Sequence, residues 1–275
     1  MSDVNRRVLP GFGLSLGYTT LYMSLLVLIP LSACFIKASG LGPGEFLAAV
    51  WTERARAAYG LTIGASLVAA LVNLPFGLLV AWVLVRYRFP GSRLFDAIID
   101  LPFALPTAVA GLVYSGLYVK SGWLGQYLVP LGIQGAYSRL AIVLVLTFIG
   151  LPFVVRTVQP ILQEFEAEVE EAASCLGATR LQTFRRVIFP TLLPAVVTGF
   201  ALAFARGIGE YGSVVFVSGN MPYRTEIAPV LIVASLEAFQ YRQAAAIAVV
   251  LLLMSFSLLV AINLLERWTK RHGSY

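Results

Sequence analysis

The stretch Glu171-Ala172-Ala173-Ser174-Cys175-Leu176-Gly177, followed after nine residues by Val187-Ile188-Phe189-Pro190, lies in a polar connection between two apolar runs. Upstream of Gly177 the apolar residues Ile161, Leu162, Phe165, Val169, Ala172, Ala173 and Leu176 recur at helical spacing. Gly177 is suited to ending that helix. A second amphipathic stretch carries Leu181, Phe184 and Ile188 on one stripe, and Pro190 and Pro194 are expected to interrupt it. The spacing predicts a helix, a turn and a helix over 157–193, outside any bilayer. Ala172 and Ala173 leave a low surface on which another protein can pack closely, and Gly177 permits a sharp change of direction. The bland alternative is an ordinary amphipathic loop with a solvated acidic face, Glu164, Glu168 and Glu171. Helical pattern alone favours that alternative.

What this connection joins sets the class of the molecule. Of 275 residues, 59% are hydrophobic and 12% charged, against about half apolar and a quarter charged in a soluble domain. No soluble core is large enough to hide that surplus. A helix rising about 1.5 Å per residue needs about 20 mainly apolar residues to cross a bilayer. Six segments meet that need, at 12–36, 60–85, 98–119, 139–156, 194–217 and 243–265. Arg6 and Arg7 precede the first of them as in a signal peptide, but its length and its lack of a small-residue cleavage site read as a retained span. The apolar segment at 225–238 is short, carries Glu226, Pro229 and Glu237, and reads as a surface or interfacial helix. The sequence shows neither an internal repeat nor a low-complexity tract, so 1–275 reads as a single membrane domain.

An inward amino terminus places twelve basic residues on the cytoplasmic side: Arg6, Arg7, Arg86, Arg88, Arg93, Arg156, Arg180, Arg185, Arg186, Arg267, Lys270 and Arg271. Seven fall outside and Arg206 lies within a span. The bias favours both termini inside, together with the 157–193 connection.

Several function classes are excluded. The net charge of +6 comes from clusters between apolar runs, not from one basic face, so nucleic acid is not the partner. Cys34 and Cys175 fall at different depths, which argues against a disulfide. His272 is the single histidine and sits in the tail. The chain therefore has no recognisable transition-metal site, and His-dependent nucleophilic catalysis lacks its base. No catalytic residue is assigned.

With these residues in hand, the quoted stretch resembles the EAA motif of ABC importer permeases, and its spacing matches in full. Val187 and Phe189 stand where Ile and Leu are commoner. The resemblance runs further, through Arg86-Tyr87-Arg88-Phe89-Pro90-Gly91, through Asp100 to Gly111 and Pro152 to Pro160, and through Gly209-Glu210-Tyr211-Gly212 with Ser218-Gly219-Asn220. These segments are similar to the T-type subunits of the sulfate/thiosulfate permease family. Molybdate and tungstate permeases share parts of the pattern, as does the W-type companion subunit.

The resemblance implies an all-helical type I importer permease fold with a cytoplasmic coupling helix, in a bacterial-type inner membrane and in contact with its lipid. It also implies a W-type partner subunit, two copies of a cytoplasmic ATPase and an extracytoplasmic sulfate-binding protein. Glu171, Ala172, Ala173, Gly177 and Pro190 would then couple to the ATPase. The chain has no G-x-x-x-x-G-K-[ST] loop, so ATP and Mg²⁺ belong to the partner and no cofactor is expected here.

The spans hold the candidates for the translocation path or the subunit interface. Arg206 and Glu210 are four residues apart on one helical face, and charges in a membrane helix face a bundle interior or a wet cavity. A structural ion pair is the equal alternative. Gly199, Ala203 and Gly207, and likewise Ala201, Ala205 and Gly209, form small-residue stripes that suit close packing. Pro102 and Pro106, with Asp100, Thr107 and Gly111 beside them, interrupt the third span. Interruptions often line cavities, where backbone N–H groups can meet an anion, while a simple proline kink also fits. A secondary transporter coupled to protons or sodium would need carboxylates at the midplane. Glu210 is the single strong candidate, and the 157–193 elbow argues against that class.

Overall fold

A computed structural model describes residues 12–272, with side chains as far as Leu264. Arg6 and Arg7 lie outside the described residues, as do the side chains of Arg267, Lys270, Arg271 and His272. The expected inward placement of the termini falls there. Among the described residues every regular element is helical. In chain order the first are α1 (Phe12–Ser39), α2 (Pro43–Val50) and α3 (Glu53–Arg86). The interrupted segment follows as α4 (Ser92–Ile99), α5 (Leu101–Ala104) and α6 (Thr107–Tyr118), then the single turn α7 (Gly125–Leu128). After it come α8 (Arg139–Glu164), α9 (Ala167–Cys175) and α10 (Arg180–Ile208). The short α11 (Val214–Val217), α12 (Ala228–Glu237) and α13 (Tyr241–His272) complete the chain.

Five of these, α1, α3, α8, α10 and α13 as far as Leu264, are long and apolar enough to cross a bilayer. The remaining predicted crossing, 98–119, is not one helix. Pro102 and Pro106 lack the N–H that a helix interior needs. The backbone turns extended at Leu105 and Pro106 and restarts as α6 at Thr107.

Pro190 behaves in the opposite way, and the expected interruption there does not occur. A wide π turn over Phe184–Ile188 precedes it, with the N–H of Phe189 reaching back to the carbonyl of Phe184. That turn opens the coil ahead of Pro190, and α10 runs unbroken from Arg180 to Ile208, through Pro194 as well. Helix α10 ends before the expected limit of the fifth span, at Ile208, and 209–213 forms a turn before α11.

At the other end of the connection, α8 continues to Glu164 instead of stopping near 156. The apolar stripe from Ile161 to Leu176 is thus divided between two helices, with Leu162 buried at 1% exposure and Leu176 exposed at 89%.

Helices α3, α8 and α10 form the centre, and small residues let them approach. A Cβ at Gly77 would stand 2.7 Å from Val154, and one at Gly199 would stand 2.9 Å from the Val154 backbone. In a bilayer such packing replaces the hydrophobic drive that water supplies. Of the two stripes on α10, Gly199, Ala203 and Gly207 are buried in this contact, while Gly209 at the end of the second is exposed. Helix α12 is a correction to the surface-helix expectation. Its Ala228, Leu231 and Ser235 are buried, and the Ala228 N–H donates to Thr62 Oγ1 on α3 at 2.8 Å. Glu226, at its entrance, accepts from Arg54 Nε at 2.7 Å and from Arg54 Nη2 at 2.6 Å.

Candidate functional site

The EAA stretch folds as α9 and a turn. Gly177 takes φ +81°, a left-handed conformation that suits glycine. The Gly177 N–H donates to Ser174 O and the Ala178 N–H to Ala173 O, both at 3.0 Å, which closes a Schellman cap on α9. Two residues later Thr179 caps α10 in a reciprocal box with Gln182. The chain therefore reverses between two fixed helix ends.

Among its residues α9 buries none, and Glu171, Ala172, Leu176 and Gly177 all stand exposed, with Ala173 half-buried. A cavity of about 380 Å³ opens between Ala173, Leu176, Gly177, Gln182, Thr183 and Arg186. An amphipathic helix serving its own fold would bury its apolar side. This one presents Val169 outward, and Leu176 at its C-cap is exposed as well.

Two ion-pair clasps brace this region, one from the elbow to α3 and one from α8 to the interrupted segment, and neither was found in the sequence, where their arginines read as membrane-flanking charges. Arg86, at the end of α3, binds Glu170 of α9 and lies over the rings of Trp82, at 5.3 Å, and Phe165, at 5.9 Å. Arg156, two turns before the end of α8, donates to Asp100 Oδ1 at 2.9 Å and Oδ2 at 2.7 Å, to Asp96 Oδ1 at 2.7 Å and to Asp96 O at 2.8 Å. A planar guanidinium suits that fork. Arg156 thereby fastens the interrupted segment to the helix that leads into the elbow. The sequence signal was slight, since Asp96 and Asp100 are four apart but their partner is 56 residues away or more.

Of the candidates in spans three and five, Thr107 lies against the turn that holds Glu210. A Cβ at Gly111 would fall 2.3 Å from Ser213 O, and one at Gly212 would fall 2.2 Å from Thr107 Oγ1. The 209–213 turn therefore lies against the start of α6. Pro106 is the residue that precedes α6, whereas Pro102 sits in α5 on the other side of the break.

Glu210 closes the turn. It is 2% exposed, and its Oε1 accepts from the Ser213 N–H and hydroxyl, each at 2.8 Å. Its Oε2 pairs with Arg206 Nη1 at 2.5 Å. Arg206 is 35% exposed. Burial of the acid beside a partly open base makes a neutral unit whose guanidinium is only partly engaged.

The chain as a whole finds counterparts among known proteins. Residues 73–271 match the family described as binding-protein-dependent transport system inner membrane component. A sulfate transport system permease protein CysT of Synechocystis is 50% identical over 256 residues, which cover 93% of this chain and 90% of that protein. The protein so described in Salmonella typhimurium is 48% identical over 262 residues, 95% of each chain. In fold, a chain of a bacterial ABC transporter involved in the import of the acidic polysaccharide alginate superposes with a TM-score of 0.75, at 17% identity, covering 92% of this chain and 93% of that one. The chain belongs to the family of binding-protein-dependent transport system inner membrane components.

Proposed function

We propose that this chain is the T-type permease subunit of an ATP-driven importer of sulfate and thiosulfate, forming half of the translocation path beside a W-type companion. The observation that carries the reading is the elbow: a helix that buries nothing, closed by a capped turn at Gly177 and tied to the end of α3 by Arg86. Such a lever is useful only when another protein grips it. The relatives named as sulfate permeases support the substrate.

Six crossings, with both termini and the elbow in the cytoplasm of an inner-membrane protein, form a single domain. Two copies of a separate ATPase hold ATP and Mg²⁺ and receive Glu171, Ala172, Ala173, Gly177 and Pro190. An extracytoplasmic sulfate-binding protein delivers the anion. Pro102, Pro106, Thr107, Arg206, Gly209 and Glu210 lie along the path or at the subunit interface. The test is uptake of labelled sulfate by reconstituted complexes, with unlabelled molybdate as competitor. Uptake that proceeds without the ATPase or ATP overturns the reading, and uptake that molybdate abolishes at equal concentration overturns the substrate.

A further inference from the structure

Arg206 sits in the last turn of α10, and its Nη1 is spoken for by Glu210. Its Nε and Nη2 make no hydrogen bond to a described residue, and the side chain remains 35% exposed. A guanidinium within a membrane span needs polar company, because unpaired donors in a low-dielectric setting are costly. The Glu210 carboxylate supplies it to Nη1 alone. Its oxygens are already committed to Arg206 Nη1 and to both Ser213 donors, and it is 2% exposed.

The acid therefore behaves as an anchor that orients the base. Gly209, one turn on, is exposed and offers no side chain to cover the guanidinium. The turn that holds Glu210 is pressed against Thr107, at the interruption of span three.

We infer that the free edge of Arg206 is a transient contact for a tetrahedral oxyanion dianion such as sulfate as it passes through the permease. Two parallel N–H groups match two oxygens of such an anion. Glu210 cancels the net charge, so the contact is weak enough to release its cargo, as a conduction site requires. Glu210 is a positioning residue, while Arg206 touches the anion. This inference rests on the transporter reading above and specifies the chemistry of its path.

The experiment uses the full complex in proteoliposomes, with labelled sulfate and the amount of ATP hydrolysed measured together. The parental complex comes first, and absence of ATP-dependent sulfate uptake there sinks the transporter reading itself. The paired variant Arg206→Gln with Glu210→Gln keeps shape and neutrality but removes the cationic fork. We expect it to assemble stoichiometrically, to import sulfate about tenfold more slowly and to consume correspondingly more ATP per anion. Arg206→Lys keeps a charge without the fork and should fall between the two. Parental uptake in the paired variant overturns the inference. So does dissociation of that variant into separate permease subunits, which would assign Arg206 to the subunit interface.

Discussion

Glu210 is held through both carboxylate oxygens, one by Arg206 and the other by Ser213. Four-residue spacing placed it beside Arg206, and the structure pairs them at 2.5 Å. What spacing could not reveal is Ser213, whose two donors make Glu210 the lock of a turn and not a mid-helix charge. Removing Arg206 alone strands a buried carboxylate, a loss of about 3–5 kcal/mol in comparable buried pairs. Each single alanine variant should therefore yield less assembled complex than the double variant, as measured by size-exclusion chromatography. Additive losses across that cycle would remove the pairing from the account of assembly. At Gly177 the difficulty is backbone and not space, since nothing lies within 4 Å of a built Cβ. Left-handed φ costs an ordinary residue about 1–2 kcal/mol, and less for Asn. Gly177→Asn should accordingly retain the ATPase on affinity purification better than Gly177→Val. Equal retention would mean that the turn is not the feature that matters.

At the level of elements, prolines were the ambiguous signal. Pro106 ends a span after extended Leu105, while Pro190 and Pro194 are absorbed in α10, as are Pro75 in α3 and Pro152 and Pro160 in α8, and a wide turn at Phe184–Ile188 opens the helix ahead of Pro190. Periodicity cannot see a π turn, since it adds a residue without changing which types are apolar. The long-range clasps were hidden for another reason: Arg86 and Arg156 flank spans as any membrane-edge arginine does. The Arg156 clasp predicts a graded series. Arg156→Lys keeps the charge but cannot span Asp96 and both Asp100 oxygens, and Arg156→Ala leaves two carboxylates facing each other on α4 and its end. With these groups a third to a half exposed, screening limits the loss to about 1 kcal/mol. Stability should fall slightly in that order, while sulfate uptake falls much more, because α4 and α5 no longer follow α8. A thermal-shift loss that fully accounts for the transport loss would reduce the clasp to simple fastening. The exposed face of α9 makes a separate prediction. Ala173→Trp should leave the subunit paired in the membrane and lower both ATPase retention and uptake, and stoichiometric ATPase at the parental transport rate would exclude α9 as the coupling element.

For the whole molecule, the apolar runs fix the solvent but not the side, and the elbow is what orients the protein. If α9 receives an ATPase, it must face the compartment that holds ATP. Native Cys175 on α9 is exposed and free, and Cys34 on α1 is half-buried and free, so the chain carries its own reporters. In a Cys34→Ser background, a membrane-impermeant maleimide added to intact cells should leave Cys175 unlabelled, and the same reagent added to inverted membrane vesicles should label it. A second variant, Cys34→Ser with Cys175→Ser and Ser174→Cys, places the thiol one residue earlier on the same exposed helix and should behave identically. The ATPase seated on α9 would shield either position, so labelling of inverted vesicles should rise when that subunit is stripped away. Labelling in intact cells places the elbow outside and removes both the topology and the coupling role. Labelling of inverted vesicles that is indifferent to the ATPase keeps the topology and moves the partner's grip elsewhere on the cytoplasmic face.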